Sequence, residues 1–423
     1  MLNKKIIVDE LPSEIKEHAI YEINQPNPNS YTHNYFKYPC KFIPEIPRWA
    51  IKTYLNSENI KQKRILDPFA GSGTTLLEAS LMGLDSVGTE IDEIAKLIIK
   101  VKTTQLTEDE IQTVKSFTLR ITRNLEENKF TDNEITLPYI NNLEHWFNEN
   151  ALRGLGYLYN KILAEIDNEK VRDFLLISMA GIIKRVSNAD DISPKPYVSN
   201  KVIKNPPAVA KSFLDTIEKN ISGMITMKSK EMGNVVVRGD ALHIPESENT
   251  IDLAITSPPY INAFDYVRTL RLENLWLQLS TEDELREKKK NYLGTESINV
   301  KKEKENTDIL SESDLLKKYY QEVQEVDEKR ALIIKRFFED MKKNLEEVYR
   351  VLKPGGYYGI VIGNSKIRNV DIESWKVLND IGQDIGFKYE THFAYSIKNP
   401  YIRIPRANKG GKISLDHILV LVK

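Results

Sequence analysis

The sequence is poor in cysteine. Cys40 stands alone, which excludes an internal disulfide and fits an intracellular, cytoplasmic compartment. Long apolar runs are also missing: no uncharged stretch reaches the roughly 18 residues needed to span a bilayer, so no membrane partner is expected. The opening MLNKKIIVDELPSEIKEH is charged throughout and lacks the apolar stretch and small-residue cleavage site of a secretory signal. Neither sign of charge is in excess, with 60 Lys and Arg against 61 Asp and Glu. A nucleic-acid binder often shows a basic surplus, so any basic surface here must be local. Six histidines show no zinc-ligand spacing, and no structural metal is expected.

What is present is enough chain for a large core. At 423 residues the length prior is two to three domains, or one core with large insertions. Seven short apolar runs read as strands: RILDPF (64–69), SVGTEID (86–92), NVVVRGDA (234–241), DLAITS (252–257), YYGIVIGNS (357–365), YETHFAYSI (389–397) and HILVLVK (417–423). Helical patterns separate several of them, including TTLLEASLMG and FFEDMKKNLEEVYRVLKPGG, whose Lys353-Pro354-Gly355-Gly356 is a helix-stop signal. That alternation predicts an α/β fold with a mainly parallel sheet. Two stretches break the rhythm. Residues 105–233 read as mostly helical, with a loop NADDISPKPYVSN, and 280–330 mix both charges with few bulky apolar groups. The second stretch reads as a solvated helix pair with a mobile middle; a lid or nucleic-acid clamp is the alternative.

ILDPFAGSGTT (65–75) places Asp67, Phe69, Ala70, Gly71, Gly73 and Thr74 where a strand gives way to a helix. Glycines there permit a tight turn and close ligand approach. The Lys-Ser/Thr of a phosphate-binding loop is absent, which argues against an NTPase. The next strand ends Glu90-Ile91-Asp92, about twenty residues on, where a carboxylate can bind ribose hydroxyls. NAD and S-adenosylmethionine both satisfy this pattern. A third strand ends Gly239-Asp240-Ala241, another carboxylate on the same edge, able to accept from an adenine amine. The fourth ends in Thr256-Ser257-Pro258-Pro259-Tyr260, a rigid rim beside the cofactor position.

DPFAGSGTT, TEID, GDA, TSPPY and EVYRVLKPGG together resemble the DNA amino-methyltransferases, which methylate N4 of cytosine or N6 of adenine. HNYFKYPCKFIPEIPRWAI is similar to the family's cofactor motif before the glycine loop, placing Phe42 beside the methionine end. The resemblance implies S-adenosylmethionine as cofactor and a Rossmann-like seven-stranded methyltransferase sheet interrupted by a helical target-recognition domain. Its order gives 1–104 and 234–279 as the first parts of the core, 105–233 as the recognition insertion, 280–330 as a charged insertion and 331–423 as the last part of the core. It implies double-stranded DNA as partner, and a prokaryotic restriction endonuclease as a further one.

In that setting Ser257 and Pro258 have a role. An exocyclic base amine delocalises its lone pair into the ring, so acceptors aimed at its protons, the Ser257 side chain and the Pro258 carbonyl, restore the nucleophile. Pro258 and Pro259 stiffen the backbone that presents them, and Tyr260 offers a face for a base flipped out of the stack. Serine in the first position resembles the cytosine-N4 branch, with adenine N6 as the alternative. An RNA base methyltransferase and a non-catalytic DNA-reading subunit are further alternatives. Ring-carbon methylation needs a cysteine nucleophile after the fourth strand; Cys40 precedes the glycine loop and reads as a packed, incidental thiol. Lys184, Arg185, Lys195, Tyr197 and Lys201 are candidate DNA contacts by position, as is Arg268, for which a salt bridge to Asp265 or Glu273 is the competing reading. The basic loop with Lys398, Arg403, Arg406, Lys409 and Lys412 suits a phosphate backbone.

Overall fold

A computed structural model describes residues 5–24, 26–55, 59–261, 265–397 and 414–423. Its centre is one sheet of β1 (Ile6–Val8), β2 (Ile20–Ile23), β3 (Arg64–Asp67), β4 (Asp85–Gly88), β5 (Val235–Val237), β6 (Ile251–Thr256), β7 (Leu352–Gly363), β10 (Lys388–Ser396) and β11 (Leu415–Val422). The remaining strands, β8 (Ser365–Ile367) and β9 (Val370–Ile372), form a separate antiparallel pair. The order across the large sheet is β1-β2-β10-β11-β7-β6-β3-β4-β5. Only β11 runs against the others.

The seven apolar runs in the sequence all fall on strands of this sheet, but it has nine strands rather than seven. The two extra ones come from the N-terminal stretch. β2 pairs in parallel with β10 through Ala394↔Ile20 and Tyr395↔Tyr21, and β1 follows it, so short segments with little strand signal of their own extend the β10 edge.

β6 is buried at all six positions, as expected of a parallel strand covered on both faces. The chain leaves β3 toward β4 on one side and returns to β6 on the other. That reversal opens a crevice at the carboxyl ends of β3 and β6, the place where open α/β sheets bind ligands. Helix Thr74–Leu81 begins at the crevice and is buried along its whole length. Helix Glu328–Val351, capped by Asp327, lays Phe337, Met341, Leu345 and Val348 against the sheet at spacings of three and four. It stops at Val351, and Lys353-Pro354-Gly355-Gly356 then forms an irregular opening to β7: the register with β6 jumps from Ile251↔Leu352 to Leu253↔Tyr357, with Gly355 at φ +77.

Between β4 and β5 lie five longer helices, Glu93–Thr103, Glu108–Glu126, Glu149–Glu165, Glu169–Val186 and Val209–Ile225. Their apolar faces join Leu77 and Leu81 of the helix Thr74–Leu81 and Trp276 in one continuous cluster. The charged stretch 280–330 is not simply solvated. Helix Asp314–Gln324 buries Leu316, Tyr319, Tyr320 and Val323 against the long helix, and Glu303 accepts from Arg336 at 2.9 Å. No helix among the described residues is long and apolar enough to cross a membrane.

Candidate active site

The loop after β3 is held from below. Asp67 is fully buried; its carboxylate accepts from the Thr256 hydroxyl at 2.6 Å and from the Phe69 amide at 3.2 Å. Burial raises its pKa to about 6, against the pull of those donors. β3 and β6, whose ends flank the crevice, are thereby tied together at their last residues. Gly71 (φ +50) and Gly73 (φ +73) carry the chain through the left-handed region. A Cβ on Gly73 would come within 2.8 Å of Ile99, so only glycine lets helix Glu93–Thr103 pack this closely. Lys102, buried at the end of that helix, donates to the Ser72 carbonyl at 2.6 Å.

Glu90 follows β4 and is buried beside this loop. It accepts from the amides of Gly71 (2.9 Å), Ile91 (2.8 Å) and Asp92 (2.9 Å). Burial, with the Asp92 charge adding to it, pushes the carboxyl up to about 8 despite those three donors. Asp92 caps helix Glu93–Thr103 through the Ile94 amide, and also accepts from Asn274 at 3.2 Å and from the Tyr292 hydroxyl at 2.7 Å.

These groups surround a cleft of about 880 Å³, counting the solvent at its mouth. Of the residues singled out in the sequence, Phe42, Phe69, Ala70, Gly71 and Thr74 form its floor and near wall. Glu90, Ile91, Asp240, Ala241, Ser257 and Pro259 line the rest. Asp67 and Pro258 are buried, and neither they nor Gly73 and Tyr260 line the cleft. Tyr260 instead turns its hydroxyl to Asp416 at the start of β11, donating at 2.7 Å.

Cys40 corrects the reading of a packed thiol. It is exposed, lines the cleft between Pro39 and Phe42, and holds a left-handed backbone (φ 55). The cleft walls, with the Asp416 charge adding to them, push its thiol up to about 12.

Other cleft residues were not singled out in the sequence, although Tyr38 lies inside the N-terminal motif. Tyr38, Tyr266 and Tyr292 stack in series, with ring centroids 6.0 and 6.2 Å apart. They come from the N-terminal stretch, the helix after SPPY and the charged segment, and Asn291 and Leu293 flank the last. The one sequence signal was an aromatic-apolar pair, Tyr292-Leu293, inside a lysine-rich run.

The candidate DNA contacts separate. Arg268 lines a second cleft with Asn141, Asn142, His145, Trp146, Pro196 and Arg271. Neither expected partner forms an ion pair with it: Asp265 pairs with Lys289 at 2.7 Å, and Glu273 is buried, which pushes its carboxyl up to about 7. Lys195 and Tyr197 lie either side of Pro196 on the loop that forms one wall, and Tyr197 is 43% exposed. Lys184 is not a free surface cation; its ammonium is tied to the Ser193 carbonyl of the same loop. Arg403 and Arg406, with the rest of the basic loop, lie outside the described residues.

Comparison with known proteins bears on this geometry. The family described as DNA methylase matches residues 5–101, from β1 through the glycine loop to the helix behind it. The type II methyltransferase M.MvaI of Kocuria varians is 27% identical over 95% of this chain and 92% of its own. The chain belongs to the DNA amino-methyltransferases. It is a DNA methyltransferase, and its cofactor is S-adenosylmethionine. M.BsoBI of Geobacillus stearothermophilus, also a type II methyltransferase, is 26% identical over 86% of this methyltransferase and 80% of its own length. A solved S-adenosylmethionine-dependent methyltransferase from Methanosarcina mazei aligns over 88% of this chain and 96% of its own, at 10% identity and a TM-score of 0.32. The cleft suits the cofactor: a buried carboxylate held by three amides stands where ribose hydroxyls are bound in such sheets, and tyrosine rings wall the space beside it.

Proposed function

We propose that this methyltransferase modifies the exocyclic N4 of cytosine at one sequence in duplex DNA, as the modification component of a restriction–modification system. The observation that carries the reading is Ser257, which stands at the acceptor position of SPPY and faces the cofactor cleft. Type II methyltransferases among the relatives support a sequence-specific role paired with an endonuclease.

In this reading Glu90 holds the ribose, Gly71 and its neighbours lie along the cofactor, Asp240 and Ala241 meet the adenine, and Phe42 packs beside the methionine end. The cofactor supplies an electrophilic methyl group. Ser257 and the Pro258 carbonyl accept the two amine protons and aim the nitrogen's lone pair, a pre-orientation that contributes as much as about 7 to 11 kcal/mol in favourable cases. Tyr260, partly exposed beside the cleft lining, offers its ring to the flipped base. Arg268, Lys195 and Tyr197 face the duplex from the second cleft and its rim, and the helical insertion of residues 105–233 carries target recognition.

Sequencing that reports modified bases, on DNA from cells expressing the chain or its Ser257→Ala variant, tests this. N4-methylcytosine at one motif, fading in the variant, is expected. N6-methyladenine instead overturns the cytosine reading, and no modification of DNA overturns the substrate.

A further inference from the structure

The long helix Glu328–Val351 brings to the cofactor cleft a carboxylate that no motif marks. Asp340 lines the cleft together with Asp240, Ala241, Leu242 and Leu293, and is only 5% exposed. One turn further along, the helix is fixed to the chain after β5. Asn344 accepts from the Tyr358 hydroxyl at 2.6 Å and donates to the Ala241 carbonyl at 2.8 Å. Residues four apart share a helix face, so Asp340 is held on the side that meets Gly239-Asp240-Ala241.

Its two oxygens are used unequally. Oδ2 accepts from Arg336 Nε at 2.8 Å, one turn earlier on the same helix. Oδ1 is buried and takes no hydrogen bond among the described residues; the Lys343 ammonium stands 3.6 Å from it. A buried carboxylate oxygen without a donor is costly, so a donor that arrives with a ligand is bound with advantage. Asp240 differs. Its Oδ1 already accepts from the Leu242 amide at 2.6 Å, which bends the chain after β5 and leaves Oδ2 for a ligand.

We propose that Asp340 selects adenine in the cofactor, its Oδ1 accepting one proton of the exocyclic amine while Asp240 accepts the other. This deepens the cofactor placement described above and rests on it. A carboxylate only accepts, so an amine satisfies it and a ring carbonyl in the same place does not. A purine with oxygen at that position would set lone pairs against lone pairs and leave Asp340 without its donor. Unpaired polar groups of this kind separate related ligands more sharply than lost apolar contact does. Arg336, by holding Oδ2, fixes which oxygen is left for the purine.

Calorimetric titration of the full chain with S-adenosylhomocysteine and with S-inosylhomocysteine, which carries a carbonyl in place of the amine, tests this. The wild type is expected to prefer the adenine compound by about 10²-fold. Asp340→Asn keeps the size of the side chain. Its amide oxygen accepts from Arg336, and its NH2 group stands where Oδ1 was, a donor in place of an acceptor. The variant should bind the adenine compound less tightly and the inosine compound more tightly, lowering the preference by at least about tenfold. A preference unchanged in Asp340→Asn, or both compounds weakened alike, overturns the assignment. Equal wild-type affinity for the two compounds overturns it without any variant. A wild type that binds neither compound instead overturns the placement of the cofactor in this cleft.

Discussion

The Tyr292 hydroxyl donates to Asp92 at 2.7 Å, so a residue from the charged segment grips the strand end that also carries Glu90. Its ring closes the stack of Tyr38 and Tyr266 along the cleft. A segment that reads as solvent-facing in the sequence therefore supplies a wall of the cleft that Glu90 and Ser257 line.

Tyr292→Ala removes both ring and hydroxyl, and S-adenosylmethionine binding should weaken by about tenfold, or about 1.4 kcal/mol. Tyr292→Phe keeps the ring and should lose less. Calorimetric titration reads both, and unchanged affinity in the alanine variant would show that the segment does not touch the cofactor.

Glu90 predicts a proton linked to cofactor binding. Its folded pKa of about 8 lies above the ordinary 4.5, so its contribution to stability is fully present below about pH 4.5 and lost as pH rises through about 8. Ribose hydroxyls donating to the carboxylate favour its ionised form. Binding of S-adenosylmethionine at pH 7 should therefore release up to one proton, measured by calorimetry in buffers of different ionisation enthalpy. Glu90→Gln should abolish the release, and a wild type that releases none would remove Glu90 from the ribose site.

Lys102 separates stability from function. Its buried ammonium, with a pKa drawn well down by desolvation, holds the Ser72 carbonyl and so the glycine loop. Replacing it with an apolar side chain of similar length removes the cost of burying a polar amine. Lys102→Met should hold or raise the melting temperature while cofactor affinity falls several-fold. A drop in both would mean that the lysine is only a structural tie.

The sheet was legible in the sequence where local pattern and tertiary burial agree. DLAITS reads as a buried strand because it is apolar and bounded by turn signals, and β6 is buried at every residue. IIV and IYEI were not legible as strands, because three or four residues carry little pattern and gain their pairing only by docking beside β10. In the cleft, Glu90 and Ser257 sit at strand ends that motif spacing locates. Tyr292 and Asp416 have roles set by groups about 200 and 156 residues away in sequence, a relation that no local window contains. Cys40 misled for a similar reason: its place before the glycine loop spoke against a nucleophile but not for burial, and with a left-handed backbone it lines the cleft.

The place of β11 in the sheet has a consequence for biosynthesis. It pairs with β7 and β10, and its second residue, Asp416, meets Tyr260, while the opposite cleft wall is built from Tyr38, Cys40 and Phe42. The two walls are separated by most of the polypeptide, a high-contact-order arrangement whose loop-closure entropy must be met before its contacts form. A nascent chain that has already made the glycine loop and SPPY thus still lacks the strand that fixes the rim. A chain ended before β11 would lack both Asp416 and the strand that joins β7 to β10.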